Sequence, residues 1–340
     1  MLKKTLFLLF VVVALQCALS QDATAQTNNN PCINWVGNGC NVLGMPCPGW
    51  FNCQVEGPWL TVCQVMNPLC APYVPCPNCP SSVSPAAGSP VSLTNGNTFI
   101  KQTDVSLPGL SGGLRLVRTW NSAWPSSQST SQVGLFGPNW RSTFEERVFV
   151  DNDHYIKYAR GDGSFWAFGS NGSTYSTAAP ANVTATLTYG STYWTLTFQS
   201  GEQRLFDVNS GNLVSIIDRN GNTTQVSYDG TARLTTVTDP ASRHLFFGYG
   251  SGTSRLVTSV TSDFGISLSY SYDGQGRLSQ VTYPDLTTIS FTYNSQSLIT
   301  AVTDSNGKTL ESHTYDSNNR GLTSSQAGGV QAVTASYPNQ

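Results

Sequence analysis

Carboxylates recur along the second half of this sequence at a spacing that could carry acid–base chemistry. Glycoside hydrolysis, for example, needs two carboxyl groups about 5–10 Å apart, one of them in surroundings that raise its pKa. Catalysis needs one such pair, whereas this sequence repeats an aspartate about every 22 residues, which favours a role in turns. We therefore predict that the chain is not an enzyme and binds no cofactor. The aspartates are Asp218, Asp239, Asp263, Asp285 and Asp304.

Histidines are too few and too isolated to indicate a metal site. None of His154, His244 and His313 has a second histidine or a carboxylate at the spacing of a metal-ligand set. His154 follows Asp151 and Asp153, a set that we interpret as the polar tip of a hairpin. His244 and His313 come just before predicted strands, where we expect them at the surface. No metal ligand is predicted.

Cysteines are concentrated in a short segment, 30–80, whose even count in an exported chain predicts structural disulfides. Cys76 and Cys79 form a CxxC pair that could bind zinc or act in redox chemistry, but no histidine lies nearby and prolines frame the pair. The aromatic residues of this segment form either its small core or a ligand-stacking surface. The disulfide candidates are Cys32, Cys40, Cys47, Cys53, Cys63, Cys70, Cys76 and Cys79.

Composition divides the 340-residue chain into an export signal and several β-rich parts. Residues 1–20, or alternatively 1–25, have the basic start, apolar run and small residues of a bacterial signal peptide, which predicts a secreted or cell-surface protein. The apolar run is too short for a stable transmembrane span. A net charge of −2 with 11% charged residues offers no footprint for nucleic acid. The predicted parts are a cysteine-rich module at 30–80, a linker at 81–89, a β-domain at 90–150 and a repeat region at 151–340.

The elements that must position the aspartates are strands, because aromatic and leucine residues repeat with the same period. Around Tyr272, apolar and serine residues alternate, as on a strand with one buried face. The turns that follow contain Asp273-Gly274 and Asp229-Gly230, where glycine can adopt positive φ. The return strand spaces Leu278 and Val281 by three, which requires either a β-bulge or cover on both faces. We predict an all-β fold, an open antiparallel sheet behind a small β-domain.

These residues resemble the Rhs/YD-repeat family. Residues 272–278 match its YDxxGRL signature, 228–234 are a near copy, and 88–150 are similar to the domain that precedes the repeats. In long members the repeats form a spiral β-sheet shell that encloses a C-terminal toxin, while others act at cell surfaces. Because the chain ends on the periodic Tyr337, we expect an incomplete array. The structural repeat residues implied by the resemblance are Tyr228, Asp229, Arg233, Leu234, Tyr249, Tyr272, Asp273, Gly276, Arg277, Leu278, Tyr293, Tyr315 and Asp316.

Three functions compete at this stage. The first is a non-catalytic secreted scaffold that displays or encases a protein partner or a toxin, which predicts buried repeat tyrosines. The second is a carbohydrate-binding or adhesion module for cell-surface glycans, which predicts tyrosine and tryptophan on the outer face. The third, a polysaccharide-cleaving β-helix, predicts parallel coils. Antiparallel pairing at Asp273-Gly274 would contradict it.

Overall fold

The computed structural model describes residues 33–34, 51–55, 61–66, 86–87, 90–92, 95–123, 133–150, 155–171, 174–179, 183–252 and 254–337. The predicted signal peptide and most of the cysteine-rich module and linker lie outside these residues. Within the cysteine-rich module, three strands pair antiparallel in the order β1-β3-β2. They are β1 Ile33–Asn34, β2 Phe51–Val55 and β3 Thr61–Met66.

The segment before the repeats folds as a long hairpin, β6–β7, with β10 added at its side. Its first turn confirms the predicted hairpin: Gly96 adopts φ +73°, and the Ser92 N–H donates to the Asn97 carbonyl at 2.8 Å. The strands are β4 Ala86–Ala87, β5 Val91–Ser92, β6 Phe99–Leu107, β7 Leu114–Asn121, β8 Val133–Gly134, β9 Gly137–Pro138 and β10 Trp140–Ser142, with 3-10 turns at Leu110–Gly112 and, near the end of the chain, Ala327–Gly329.

The repeats form one open sheet of 19 strands in which each strand pairs antiparallel with its neighbour in sequence. The all-β prediction is confirmed, and the β-helix hypothesis is wrong because the coils are not parallel. The strands are β11 Arg147–Val150, β12 Ile156–Ala159, β13 Phe165–Asn171, β14 Thr174–Ala179, β15 Ala185–Tyr189, β16 Tyr193–Phe198, β17 Gln203–Asp207, β18 Leu213–Ile217, β19 Thr223–Tyr228, β20 Leu234–Thr238, β21 His244–Tyr249, β22 Val257–Ser262, β23 Ser267–Tyr272, β24 Leu278–Thr282, β25 Thr288–Tyr293, β26 Ile299–Asp304, β27 Thr309–Tyr315, β28 Gly321–Gln326 and β29 Val333–Thr334.

The two faces of the sheet differ in chemistry. In β23, Leu268 and Tyr270 are buried, while the alternate serines are exposed, as the period of two predicts. The apolar face joins the pre-repeat segment in a single core that runs from Ile100 to Val302. The outer face presents mostly serine, threonine and glutamine. The repeats are therefore stabilised by stacking on one another and on the segment that precedes them.

The sheet also curls back on itself. Its first strand, β11, meets the turn between β17 and β18, where the Val148 N–H donates to the Gly211 carbonyl at 2.8 Å and the Leu213 N–H donates to the Glu146 carbonyl at 3.1 Å. A Cβ at Gly211 would lie 1.9 Å from the Val148 carbonyl oxygen. Only glycine therefore allows β11 and this turn to approach so closely. The contact fixes the curvature of the sheet between its first and eighth strands.

The repeat turns share one geometry. In the turn after β23, the Gly276 N–H donates to the Asp273 carbonyl and the Asp273 N–H donates to the Arg277 carbonyl. This is a type I turn followed by a left-handed residue. In the turn after β23 the positive φ falls on a glycine, Gly276, as expected for that turn, whereas in the turn after β19 it falls on Ala232 and not on Gly230. The residue after the aspartate takes the right-handed first position of a type I turn and does not need glycine.

One turn places a poorly suited residue at the left-handed position. Leu286 has φ +68° and is 80% exposed, where the equivalent residue after β23 is Gly276. A left-handed backbone costs an L-residue roughly 1–2 kcal/mol, and asparagine tolerates it better than leucine. We expect Leu286→Asn to stabilise the chain by about 0.5–1 kcal/mol in urea unfolding. The reverse change, Gly276→Leu, should destabilise it, and equal effects from the two variants would contradict this explanation.

Candidate functional site

The repeated tyrosine closes each unit onto the previous one. The phenol of Tyr272 donates to the Val257 carbonyl at 2.6 Å, and that of Tyr293 donates to the Leu278 carbonyl at 2.8 Å. The same bond recurs in six successive units at 2.6–2.8 Å, from Tyr228, Tyr249, Tyr272, Tyr293, Tyr315 and Tyr337. Each ring packs half-buried while its hydroxyl satisfies a backbone acceptor. The periodic tyrosine is therefore a cross-strand clamp.

The repeated aspartate orders the turn that follows the tyrosine. One Asp229 carboxylate oxygen accepts from the backbone N–H groups of Thr231 and Arg233, and the other accepts from the Arg233 guanidinium at 2.8 Å. The Arg233 backbone N–H, the Thr231 hydroxyl and the Arg233 side chain hold the pKa of Asp229 well below its usual range. The turn role predicted for the periodic aspartates is confirmed at four of the five, whose carboxylates accept backbone N–H groups of their own turns: Asp218, Asp239, Asp285 and Asp304. The fifth, Asp263, instead accepts the backbone N–H of His244.

The repeated arginine links neighbouring units. The Arg277 guanidinium bonds the Asp273 carboxylate at 2.6 Å and lies 4.6 Å from the ring centre of Tyr293, the tyrosine of the next unit. Arg233 lies over Tyr249 in the same way, at 5.0 Å. Such cation–π contacts contribute about 0.5–1 kcal/mol each at exposed sites. The structure therefore brings the tyrosine, aspartate and arginine of the signature together as one stacking device.

A β-bulge accounts for the leucine of the signature. Tyr272 lies opposite Leu278 and Ser271 lies opposite Gln280, so Ser279 is an extra residue in the return strand. The bulge turns Leu278 and Val281 to the same face, where both are fully buried. Of the two interpretations of their spacing, the bulge is confirmed.

A buried ion pair joins the pre-repeat hairpin to the repeats. Arg118 bonds Asp104 through two nitrogens, and both side chains are inaccessible to solvent. The phenols of Tyr270 and Tyr283 donate to the same carboxylate at 2.8 and 3.3 Å. Asp104 sits in a β-bulge of β6, which explains how its side chain reaches Arg118. Strand β23 and the turn after β24 are thus tied to a residue more than 160 positions earlier.

The electrostatics of this group keep Arg118 ionised. Burial alone would lower the pKa of Arg118, but the adjacent Asp104 carboxylate outweighs burial and raises it. Burial, followed by the Asp104 charge, raises the pKa of Tyr283 to about 12, so its phenol remains a donor at neutral pH. The guanidinium is also enclosed by aromatic rings, with the Trp140 ring centre 4.9 Å away. No reactive group in this cluster faces solvent, and its chemistry is that of a structural tie.

This tie was absent from the sequence predictions, although a signal for it existed. Leu114, Leu116 and Trp120 alternate along β7 and are fully buried. Arg118 occupies the inward position between Leu116 and Trp120 in that same alternation. A charged residue at an inward strand position is almost never buried without a partner. The register therefore pointed to a buried counter-ion, but not to Asp104 in particular.

The histidines have different surroundings from those expected. His313 is buried, with 2% of its surface exposed, so its predicted surface position was wrong. It sits on the core face of β27, at a buried position in the alternation of that strand. His244 is half-buried, and its ring bonds Asp263 at 2.7 Å beside Phe246. His154 lies outside the described residues.

The remaining sequence predictions concern a metal site, a membrane span and disulfides. In the described part of the chain, no three His, Cys, Asp or Glu side chains are grouped to hold a metal ion. Among those same residues, no helix has the length and hydrophobicity of a membrane span. The cysteine side chains lie outside the described ones, and their pairing stays a prediction.

Two protein-family models match the chain. A domain of unknown function, DUF6531, covers residues 88–168, and RHS Repeat covers 209–244 and 255–288. The first corresponds to the pre-repeat hairpin and the opening strands of the sheet, and the second to units that carry the tyrosine clamp. A search of curated proteins finds no match.

Solved structures that align with the chain are far larger. A crystal structure of TcdB2-TccC3-TEV aligns at 15% identity over 69% of this chain and 12% of that one, with a TM-score of 0.28. The Tc holotoxin pore of Photorhabdus luminescens aligns at 12% identity over 69% and 17%, with a TM-score of 0.25. The chain thus spans less than a fifth of the length of either protein. Both scores are too low to support a structural argument. The chain therefore carries RHS repeats at residues 209–244 and 255–288, behind a segment that matches DUF6531 at residues 88–168.

Proposed function

We propose that this chain is an exported, non-catalytic scaffold that carries a partner polypeptide. The observation that supports it most is the clamp: in six successive units the tyrosine hydroxyl is used to bond the backbone of the preceding unit. The signature aspartates and arginines are likewise engaged in turns, as in Asp273–Arg277. Repetition here serves rigidity, and the polar groups of the signature are engaged in structural bonds.

The proposal also covers how the scaffold leaves the cell and what it carries. The pattern of residues 1–20 supports export, and an extracellular location suits a sheet with few charges and a hydroxyl-rich outer face. Resemblance to long Rhs/YD-repeat proteins supports a polypeptide cargo, displayed on the sheet or encased by it.

Export and carriage can be tested in one bacterial host. The full chain is produced with a folded reporter domain fused after Gln340, with and without residues 1–20. The scaffold proposal expects reporter activity outside the cytoplasm for the full chain only. Added protease then separates a displayed reporter, which is cleaved, from an encased one, which is protected. Retention of both forms in the cytoplasm would contradict export. Loss of reporter folding on the exported chain would contradict carriage.

Carbohydrate binding is a second candidate, supported by one group of exposed aromatic residues. The repeat tyrosines are half-buried clamps and do not offer an open face. At one end of β15 and β16, however, Tyr189 is 61% exposed and its ring centre lies 4.7 Å from that of Trp194, which in turn contacts Tyr175 at 5.6 Å. Exposed rings of this kind can stack on sugar rings.

A glycan array with the full chain tests this second candidate. If carbohydrate binds through the aromatic group, the glycan signals of the wild-type chain should disappear in Tyr189→Ala. They should persist in the control variant Phe246→Ala, which removes another exposed ring. Signals that persist in Tyr189→Ala, or their complete absence, would contradict binding at this group. Persistence after loss of the cysteine-rich module would assign the activity to the repeat sheet.

A further inference from the structure

A small pocket lies where the pre-repeat segment meets the first repeat units. Its volume is about 140 Å³. One wall comes from the segment around β10 and β11 and the other from β19, β20 and the loop before β22. Its charged and apolar lining includes Arg141, Phe144, Arg147, Tyr228, Leu234 and Arg255.

Arg147 is an uncompensated cation in this pocket. Its Nε is buried and has no hydrogen-bond partner, and none of the ion pairs among the described residues includes its guanidinium. Its contact is with the Phe149 ring, whose centre lies 5.4 Å away. Burial lowers the pKa of Arg147, opposed only by the nearby Tyr228 phenol. A desolvated guanidinium without a counter-ion is costly, and an anion in the pocket would relieve that cost.

The two glutamates beside Arg147 are engaged elsewhere. Glu145 accepts the Leu135 N–H and the Ser142 hydroxyl, each at 2.7 Å. Glu146 accepts the Tyr158 phenol at 2.7 Å and the Arg204 guanidinium at 3.1 Å. Burial raises the pKa of both glutamates.

A second guanidinium adds to the positive charge. Burial lowers the pKa of Arg141 to about 10, the Glu145 carboxylate opposes that shift, and the Arg147 charge reinforces it. Arg141 and Arg147 are therefore close enough to repel one another. Arg255, also in the lining, donates to the Thr231 carbonyl at 2.7 Å and stands at the rim. Three arginines and two glutamates, Glu145 and Glu146, thus line the pocket, with apolar walls from Phe144 and Leu234.

We propose that this pocket binds a carboxylate that carries a small apolar group, with Arg147 as the residue that bonds the carboxylate. A guanidinium presents paired donors that match a carboxylate. A cavity of about 150 Å³ holds a benzene-sized group, which suits the apolar walls. Phosphate or sulfate would leave those walls in contact with water. The carboxylate belongs either to a free small acid or to the carboxyl terminus of a polypeptide.

Benzoate and its neutral isostere benzamide test the pocket in the full chain. We expect benzoate, but not benzamide, to raise the thermal midpoint by mass action. Arg147→Gln should weaken benzoate binding about tenfold or more, since hydrogen bonds to charged groups are the strong ones. Arg115→Gln, which removes an exposed arginine from β7, should bind as wild type does. No midpoint shift with millimolar benzoate, or equal shifts with benzamide, would overturn the proposal.

The stability of Arg147→Gln without ligand separates a binding role from a structural one. If the role of Arg147 is to bind a ligand, Arg147→Gln should be as stable as wild type or more stable, because the substitution removes an unpaired buried charge. A lower midpoint, or failure to fold, would mean that the guanidinium supports the fold and would overturn the proposal. Peptides ending in leucine with a free or amidated carboxyl group identify the source. Preference for the free-carboxyl peptide over benzoate assigns a polypeptide terminus, and the reverse assigns a free acid.

Discussion

Arg118→Ala is expected to destabilise the chain by about 3–5 kcal/mol, because removing one partner of a buried ion pair leaves the other charge uncompensated. In this protein that charge is Asp104, whose side chain is fully enclosed and would keep only the phenols of Tyr270 and Tyr283 as donors. The loss should appear in urea unfolding of the full chain. Because Arg118 bonds the carboxylate that accepts the Tyr270 phenol and also lies against the Tyr270 ring, the pre-repeat hairpin should also loosen relative to β23.

Two further variants separate the charge from the packing at this site. Arg115→Ala removes an arginine from the exposed side of the same strand and should change stability by no more than about 0.5 kcal/mol. Replacing both partners, as Asp104→Leu with Arg118→Met, should recover most of the stability lost in Arg118→Ala, since apolar replacement of a buried pair is often neutral. A cost below about 1 kcal/mol for Arg118→Ala would show that the pair is not a structural tie.

Leu278→Ala is expected to cost about 2–5 kcal/mol, the usual range for truncating a fully buried leucine. Leu278 is turned into the core by the bulge at Ser279 and contributes its carbonyl to the Tyr293 clamp. The cavity would therefore form where two successive units meet. We expect a lower urea midpoint, and faster hydrogen exchange in β23 and β25 as well as in β24, because repeats are stabilised by their neighbours.

Leu286→Ala provides the matched control for that truncation. Leu286 is a leucine of the same unit but is 80% exposed, so its truncation should change stability by no more than about 0.5 kcal/mol. Comparable losses from the two alanine variants would contradict the assignment of buried and exposed faces. Faster exchange confined to β24 would contradict the stacking of units.

Local periodicity explains why much of this fold was predictable. The alternation in β23 and the leucine that follows each tyrosine depend on residues only a few positions apart, so one strand and its turn determine them. The turn role of the aspartates followed from their recurrence alone. The choice between a bulge and two covered faces at Leu278 stayed open, because both are compatible with a spacing of three.

The remaining features depend on contacts between distant residues. Tyr270 and Asp104 are separated by 166 positions, and no pattern within either segment pairs them. His313 was expected at the surface because it was placed just before a strand, yet it lies within β27 at a position that faces the core. The charged pocket likewise forms only where Arg147 and the first repeat units meet. Sequence patterns indicate which side of a strand is buried, but not what covers it.

Hydrogen exchange of the full chain, followed by mass spectrometry, tests most directly whether the pre-repeat hairpin and the repeats form one core. The structure predicts that peptides from β7 and from β23–β24 open together, with the same slowest exchange and the same dependence on denaturant. Arg118→Ala should speed exchange in both. Exchange of β7 while β23 and β24 stay protected would show two independent units and would contradict the scaffold as described.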